Sequence, residues 1–258
     1  MNQALHAEWT KLWTVRGTGW LLAAMIGLTV GLSAAVTGAA RASAGDRVQD
    51  LTSLSLSGVK LGQAVVAILA VLAVGSEYSS GMIHLTLVAM PRRGVMLAAK
   101  AAVVSVAVVA AGTVAVVGCL LMGRLLLSGH GFDRANGYVP LSLLQGATLR
   151  AAAGSVLYLA LIGLMSLGIA TLVRDSGAAI GLVLALVYLF PIFAQVISNQ
   201  HWQRHLQQIG PMAAGLAIQS TINLHALPIG PWPGLGVMGL WALGSMVAGG
   251  LALQLRDA

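Results

Sequence analysis

The chain is 258 residues long, 58% hydrophobic and only 8% charged, with a formal net charge of +7 and a mean hydropathy of +0.88. That balance excludes a soluble globular fold, which would need six helices apolar on every side and almost no polar surface to cover them. The basic excess reads as anchoring at lipid headgroups, because no basic cluster with interleaved aromatics points to nucleic acid.

Residues 1–16 are amphipathic. Leu5, Trp9, Leu12 and Trp13 fall near helical spacing with Glu8, Lys11 and Arg16 between them. The pattern predicts a short helix lying in the headgroup region. An apolar run follows, predicted as a first membrane span over 19–40. At about 21 residues it is longer than the 7 to 15 of a secretory leader, so it is expected to be retained despite the small-residue stretch Ala42-Ser43-Ala44.

A polar loop, Arg41 to Ser57, carries Asp46, Arg47 and Asp50 before a second span over 58–76, where Lys60 can snorkel to the interface. Glu77 to Lys100 is a polar interlude with Pro91, Arg92 and Arg93. The third span is predicted over 101–127, and a turn-rich loop runs from Ser128 to Arg150. Spans four and five, over 151–173 and 177–197, are separated only by Arg174-Asp175-Ser176, which makes them an antiparallel hairpin. Pro191 is expected to kink the fifth.

Ser198 to Pro233 differs from the rest. Trp202, Leu206 and Ile209 can form one face with Gln203, Arg204 and Gln207 opposite, and Met212 to Ile222 reads as a further short helix after the breaker Pro211. Two helices too short to cross predict a re-entrant or interfacial hairpin before a sixth span over 234–255. Apart from the second, whose apolar core Leu61 to Ser76 is shorter, the long runs reach the roughly 20 apolar residues that cross a bilayer core of about 30 Å. Backbone polar groups in lipid must pair internally, so the spans are helices. The fold class is therefore all-α polytopic: one transmembrane domain over 1–258 with six spans.

Charge does not fix orientation. With both termini inside, the inner side holds Lys11, Arg16, Arg92, Arg93, Lys100, Arg174 and Arg256. The outer side holds Arg41, Arg47, Lys60, Arg124, Arg134, Arg150 and Arg204, an equal number.

Candidate chemistry is sparse. None of the three lysines follows a glycine, so the phosphate-cradling GxxxxGK[ST] loop cannot form and any ATP must be bound by another chain. No Asp or Glu lies mid-span, which argues against a proton relay through intramembrane carboxylates. His201 and His205 stand four apart, but zinc sites take at least three protein ligands and no Glu follows His201, so the pair reads as polar interfacial surface. Gly154-Ser155 lacks the GxSxG context of a serine hydrolase. Cys119, the single cysteine, reads as a small packing residue. Gly27 to Gly31 and Gly177 to Gly181 match GxxxG, fitting either close packing or a dimer face.

The strongest local signal is Glu77-Tyr78-Ser79-Ser80-Gly81-Met82, followed by Met90-Pro91-Arg92-Arg93 and Lys100. It resembles the E-Y-x-x-G-[TM] and P-R-R signature of membrane subunits of type-2 ABC exporters. Glu8-Trp9-Thr10-Lys11-Leu12 and Val15-Arg16 resemble the E-x-x-K-L and R that lead into the first span of that family. The six-span layout is similar too; His84, where related chains often carry Arg, departs from the pattern. The resemblance implies a permease subunit with both termini cytosolic. It would pair with a second permease copy, identical or paralogous, and with two copies of a separate ATPase that bind ATP and Mg. The chain itself would be no enzyme and hold no cofactor or metal. Glu77, Tyr78, Ser79, Ser80, Gly81, Met82, Arg92 and Arg93 would couple to the ATPase, as would the N-terminal helix with Glu8, Trp9, Lys11, Leu12 and Arg16. A hydrophobic or amphipathic substrate would fit the apolar spans. Two other readings stay open: a non-transporting anchor or assembly subunit of a signalling or immunity complex, and an intramembrane enzyme.

Overall fold

A computed structural model describes residues 6, 8–11, 16–40, 50–79, 93–129, 145–197 and 199–255. Leu5, Leu12, Trp13, Ser80, Gly81, Met82, His84, Pro91 and Arg92, most of both long polar loops, and Arg256 lie outside them. Helix is the regular structure of the described residues, and six helices are long and apolar enough to cross a membrane. They are α1 (Arg16–Ala39), α3 (Val59–Ser79), α4 (Arg93–Gly129), α5 (Gly146–Val173), the broken span α6–α7 (Ser176–Leu184 and Phe190–Val196) and α10 (Pro231–Leu255). Between them lie the short helices α2 (Leu51–Ser55), α8 (Gln200–Ile209) and α9 (Pro211–Leu216).

The third span is longer than its apolar run. Its helix starts at Arg93 rather than near Ala101 and continues for 37 residues. At 1.5 Å per residue that is about 55 Å, well beyond a hydrocarbon core of about 30 Å. Lys100 therefore lies two turns inside a helix rather than at its mouth.

The fifth span breaks as Pro191 predicts, but through a different device. A π-helical turn, Ala185–Leu189, precedes Phe190-Pro191. Proline removes one N–H from the ladder and crowds the carbonyl four residues earlier, and one π turn accommodates both. The turn carries the Tyr188 hydroxyl to the Lys60 carbonyl at the start of α3. One helical turn deeper, buried Tyr158 donates to Gln63 Oε1.

The hairpin helices end where a carboxylate intervenes. Asp50 caps α2 through Ser53 N–H and also takes the Thr221 hydroxyl at 2.7 Å and the Ile222 N–H at 3.3 Å. With those groups held, the helix expected to reach Ile222 stops as a 3₁₀ turn at Gln219. The sixth span starts earlier than expected, with Pro231 in its first turn, where no N–H is missed.

Spans two, three and four form the buried centre, and spans one, five and six pack around them. Buried hydroxyls bond back one turn to their own helix: Thr29 to Met25, Thr37 to Ser33, Ser155 to Ala151, Ser166 to Ile162 and Thr171 to Leu167. Ser33 instead donates to the Ser55 carbonyl and accepts from Gly58 N–H, tying α1 to α2. Among the described residues neither GxxxG motif packs against another helix: a Cβ at Gly27, Gly31 or Gly181 would meet nothing within 4 Å, and one at Gly177 would meet only the neighbouring Asp175 carboxylate at 3.5 Å. The tight crossings use other glycines, among them Gly58 against α1 and Gly168 and Gly249 between α5 and α10.

Candidate functional site

Lys11 and Leu255 lie at one end of the bundle, together with the ends of α3 and α5 and the start of α4. The chain concentrates its charge there. Lys100 is 3% exposed, yet all three of its ammonium protons are used. They go to Glu8 Oε2 at 2.8 Å, to Glu77 Oε1 at 3.0 Å and to the Ala73 carbonyl at 3.0 Å. Lys11 closes the square, at 2.9 Å from Glu77 Oε1 and 3.3 Å from Glu8 Oε1. Two ammoniums thus face two carboxylates. An unpaired charge buried there would cost several kcal/mol.

Three elements supply the clamp. Residues 8–11 are helical and bring Glu8 and Lys11 to one side, three positions apart. Glu77 comes from the last turns of α3, and Lys100 from the third turn of α4. Glu8 is 3% exposed and turned onto Lys100, while Trp9 is 41% exposed. The segment predicted to lie in the headgroup region thus turns Glu8 inward onto the bundle. Pairing with Lys100 makes that burial tolerable.

Lys11 is the rim of the cluster. Burial pulls its ammonium down, but the hydrogen bond and charge of Glu77, with those of Glu8, outweigh this and hold it above the ordinary lysine value. A raised lysine contributes stability in full below its unfolded pKa and loses it as pH rises through the raised value. The Lys11 contacts therefore persist unchanged through the neutral range.

Arg93 and Arg174 perform a second task. Arg93 donates to the Leu253 carbonyl, and Arg174 donates to the Ala252 carbonyl at 3.2 Å. Both guanidiniums thus satisfy carbonyls in the last turns of α10, where the helix dipole favours cations. Arg174 is in the left-handed conformation (φ 63°) that ends α5, and its guanidinium lies 5.8 Å from the centre of the Tyr78 ring. The arrangement links spans two, three, four and six at one end.

The structure thus brings together Glu8, Lys11 and Glu77, and separately Tyr78 near Arg174. Arg93 joins Arg174 at α10. Arg16 and Ser79 belong to helices, without described side chains; Ser80, Gly81, Met82, Arg92 and Leu12 fall outside the described residues. The partnership of Lys100 with Glu8, 92 positions away, was missed in the sequence, although both residues were singled out. An apolar cleft of about 280 Å³ opens beside the clamp, lined by Leu21, Leu69, Leu72 and Val104, with Lys11 and Glu77 at its polar edge.

Six long apolar helices with short connecting elements define a multi-pass α-helical membrane protein. No protein-family model matches the chain, and no curated protein sequence matches it.

Proposed function

We propose that this chain is the membrane-spanning permease subunit of an ATP-driven ABC exporter, working with a separate ATPase. The observation that carries the reading is the clamp. It fastens the N-terminal segment to α3 and α4, the two helices that flank residues 80–92, where the E-Y-x-x-G signature continues. A loop that receives mechanical work must be stiffly joined to the helices it drives. A buried four-charge cluster with every Lys100 proton engaged is such a joint. Two ATPase subunits closing on ATP and Mg would move the docked loops as levers. Two permease copies would then rock and expose a path alternately to each side. The apolar cleft beside the clamp supports an amphipathic or hydrophobic substrate.

Gly81 is the test position, since a residue without a side chain permits a docked surface to approach closely. Gly81→Trp is expected to leave membrane insertion intact and to weaken ATPase association by roughly 5- to 150-fold, equivalent to about 1 to 3 kcal/mol. The measurement is co-purification of the ATPase with wild type, Gly81→Trp and Gly137→Trp, the last a control on the opposite side. Equal recovery with wild type and Gly81→Trp, with ATPase stimulation intact, would leave residues 80–92 an ordinary headgroup-binding loop.

In this reading both termini are cytosolic and the α8–α9 hairpin lies outside. In a Cys119→Ala background, cysteines at Asp46, Asn136 and Gln207 are expected to react with an impermeant thiol reagent added to intact cells. Cysteines at Gly94 and Gly177, exposed at the clamp end, are expected not to react. The reverse pattern would invert the topology.

A further inference from the structure

The cleft of about 280 Å³ beside the clamp has the same polar-to-apolar order on each of the three helices that wall it. On α1, Thr18 stands at the clamp end and Leu21 one turn deeper. On α3, Ser76 stands at the clamp end, with Leu72 and Leu69 one and two turns deeper. On α4, Lys100 stands at the clamp end and Val104 one turn deeper. Residues three and four apart share a helix face, so each helix turns one stripe to the cleft. At 1.5 Å per residue, the stripe from Ser76 to Leu69 is about 10 Å long. Leu72 is exposed within its span, so the cleft opens toward the acyl chains of the bilayer.

The charge at its polar edge is positive. The side chains of Glu8 and Glu77 are 4% and 5% exposed and turned onto Lys100, whereas that of Lys11 is 42% exposed. An incoming headgroup therefore meets the Lys11 ammonium first, with the carboxylates behind it and the Thr18 and Ser76 hydroxyls on the same cleft wall. Basic pockets between membrane helices recognise anionic headgroups, and a lysine ammonium binds phosphate as a point charge.

We infer that this cleft seats an anionic phospholipid of the leaflet at the clamp end, with one acyl chain between α1, α3 and α4 and its phosphate on Lys11. Small-molecule sites span about 300–1,000 Å³. A cleft at the bottom of that range takes one chain and leaves the other in the bilayer. The inference narrows the amphipathic class proposed above and rests on that reading of the cleft.

The test uses the full-length protein in detergent without any ATPase. Retention of one phosphatidylglycerol, one phosphatidylcholine with the same chains, or one free fatty acid is followed by native mass spectrometry as each is titrated. Wild type is expected to retain phosphatidylglycerol at about tenfold lower concentration than phosphatidylcholine, the scale of one charge-assisted contact. Lys11→Gln is expected to lose that preference and Lys11→Arg to keep it. Leu72→Trp, which fills the cleft and leaves all four clamp charges in place, is expected to lose the bound lipid. Leu61→Trp, exposed on the same helix three turns away, is expected to behave as wild type. Thermal unfolding checks that each variant is folded. Equal retention of the two phospholipids by wild type overturns the anionic class. An unchanged preference in both Lys11→Gln and Leu72→Trp places the lipid elsewhere and overturns the seat. Tighter retention of the fatty acid, lost in the same two variants, overturns the phospholipid as occupant. Gly81→Trp is expected to retain phosphatidylglycerol as wild type does. Lipid binding that fails while Gly81→Trp still loses the ATPase removes this assignment alone and leaves the exporter reading standing.

Discussion

Lys100→Met is expected to destabilise the folded protein by about 3–5 kcal/mol, the scale for removing one partner of a buried ion pair. The substitution keeps the stem of the side chain and deletes the ammonium. Glu8 and Glu77, 3% and 4% exposed, then lose the more deeply buried of the two ammoniums that hold them, and the Ala73 carbonyl loses its external donor. The readout is thermal unfolding of the purified protein in detergent, with Lys60→Met as an exposed control. Adding Glu77→Gln should recover much of the loss, because it removes one of the two buried carboxylates that the lost ammonium held. If Lys100→Met unfolds with wild type, the cluster contributes nothing and the lever argument loses its joint.

Gly168→Ala is expected to open the crossing of α5 and α10 and to cost about 1–3 kcal/mol. A Cβ at Gly168 would lie 2.4 Å from the Ser245 carbonyl carbon and 2.6 Å from Met246 N. These are backbone atoms, so no rotamer change relieves the clash and one helix must move. Gly249 on the facing helix has the Gly168 carbonyl 2.6 Å from its own ideal Cβ, so neither side can yield locally. Gly236→Ala is the contrast. Nothing lies within 4 Å of a Cβ there, and alanine favours helix over glycine by about 0.8–1.0 kcal/mol. Unfolding of the two variants should shift in opposite directions. A Gly168→Ala protein as stable as wild type would mean that this contact does not set the helix spacing.

These two positions separate what is local from what is not. Gly168 is one of 32 glycines, and nothing in its sequence neighbourhood distinguishes it from Gly27 or Gly181, which do match GxxxG. Which glycines lie in a crossing depends on the rotation of each helix about its axis, and that rotation is fixed by partners elsewhere in the chain. Hydropathy carries little information about it here, because spans facing lipid and spans facing one another are equally apolar. Other signals were present but unread. Thr29, Ser33 and Thr37 recur every fourth residue and mark the face of α1 that buries its hydroxyls.

The sequence by itself determined the number of spans, their order, the α5–α6 hairpin, the break near Pro191 and the short helices before the last span. Each follows from run length, breakers and the demand that backbone groups in lipid pair within their own helix. It also singled out Glu8, Lys11, Glu77 and Lys100, because charge is rare in so apolar a chain. Only the tertiary structure decided that these four residues belong to one cluster, that Arg93 and Arg174 serve the end of the sixth helix, and that Asp50 stops the hairpin at Gln219. An ion pair stabilises through proximity in space, and residues 92 positions apart acquire that proximity only when the helices between them have packed.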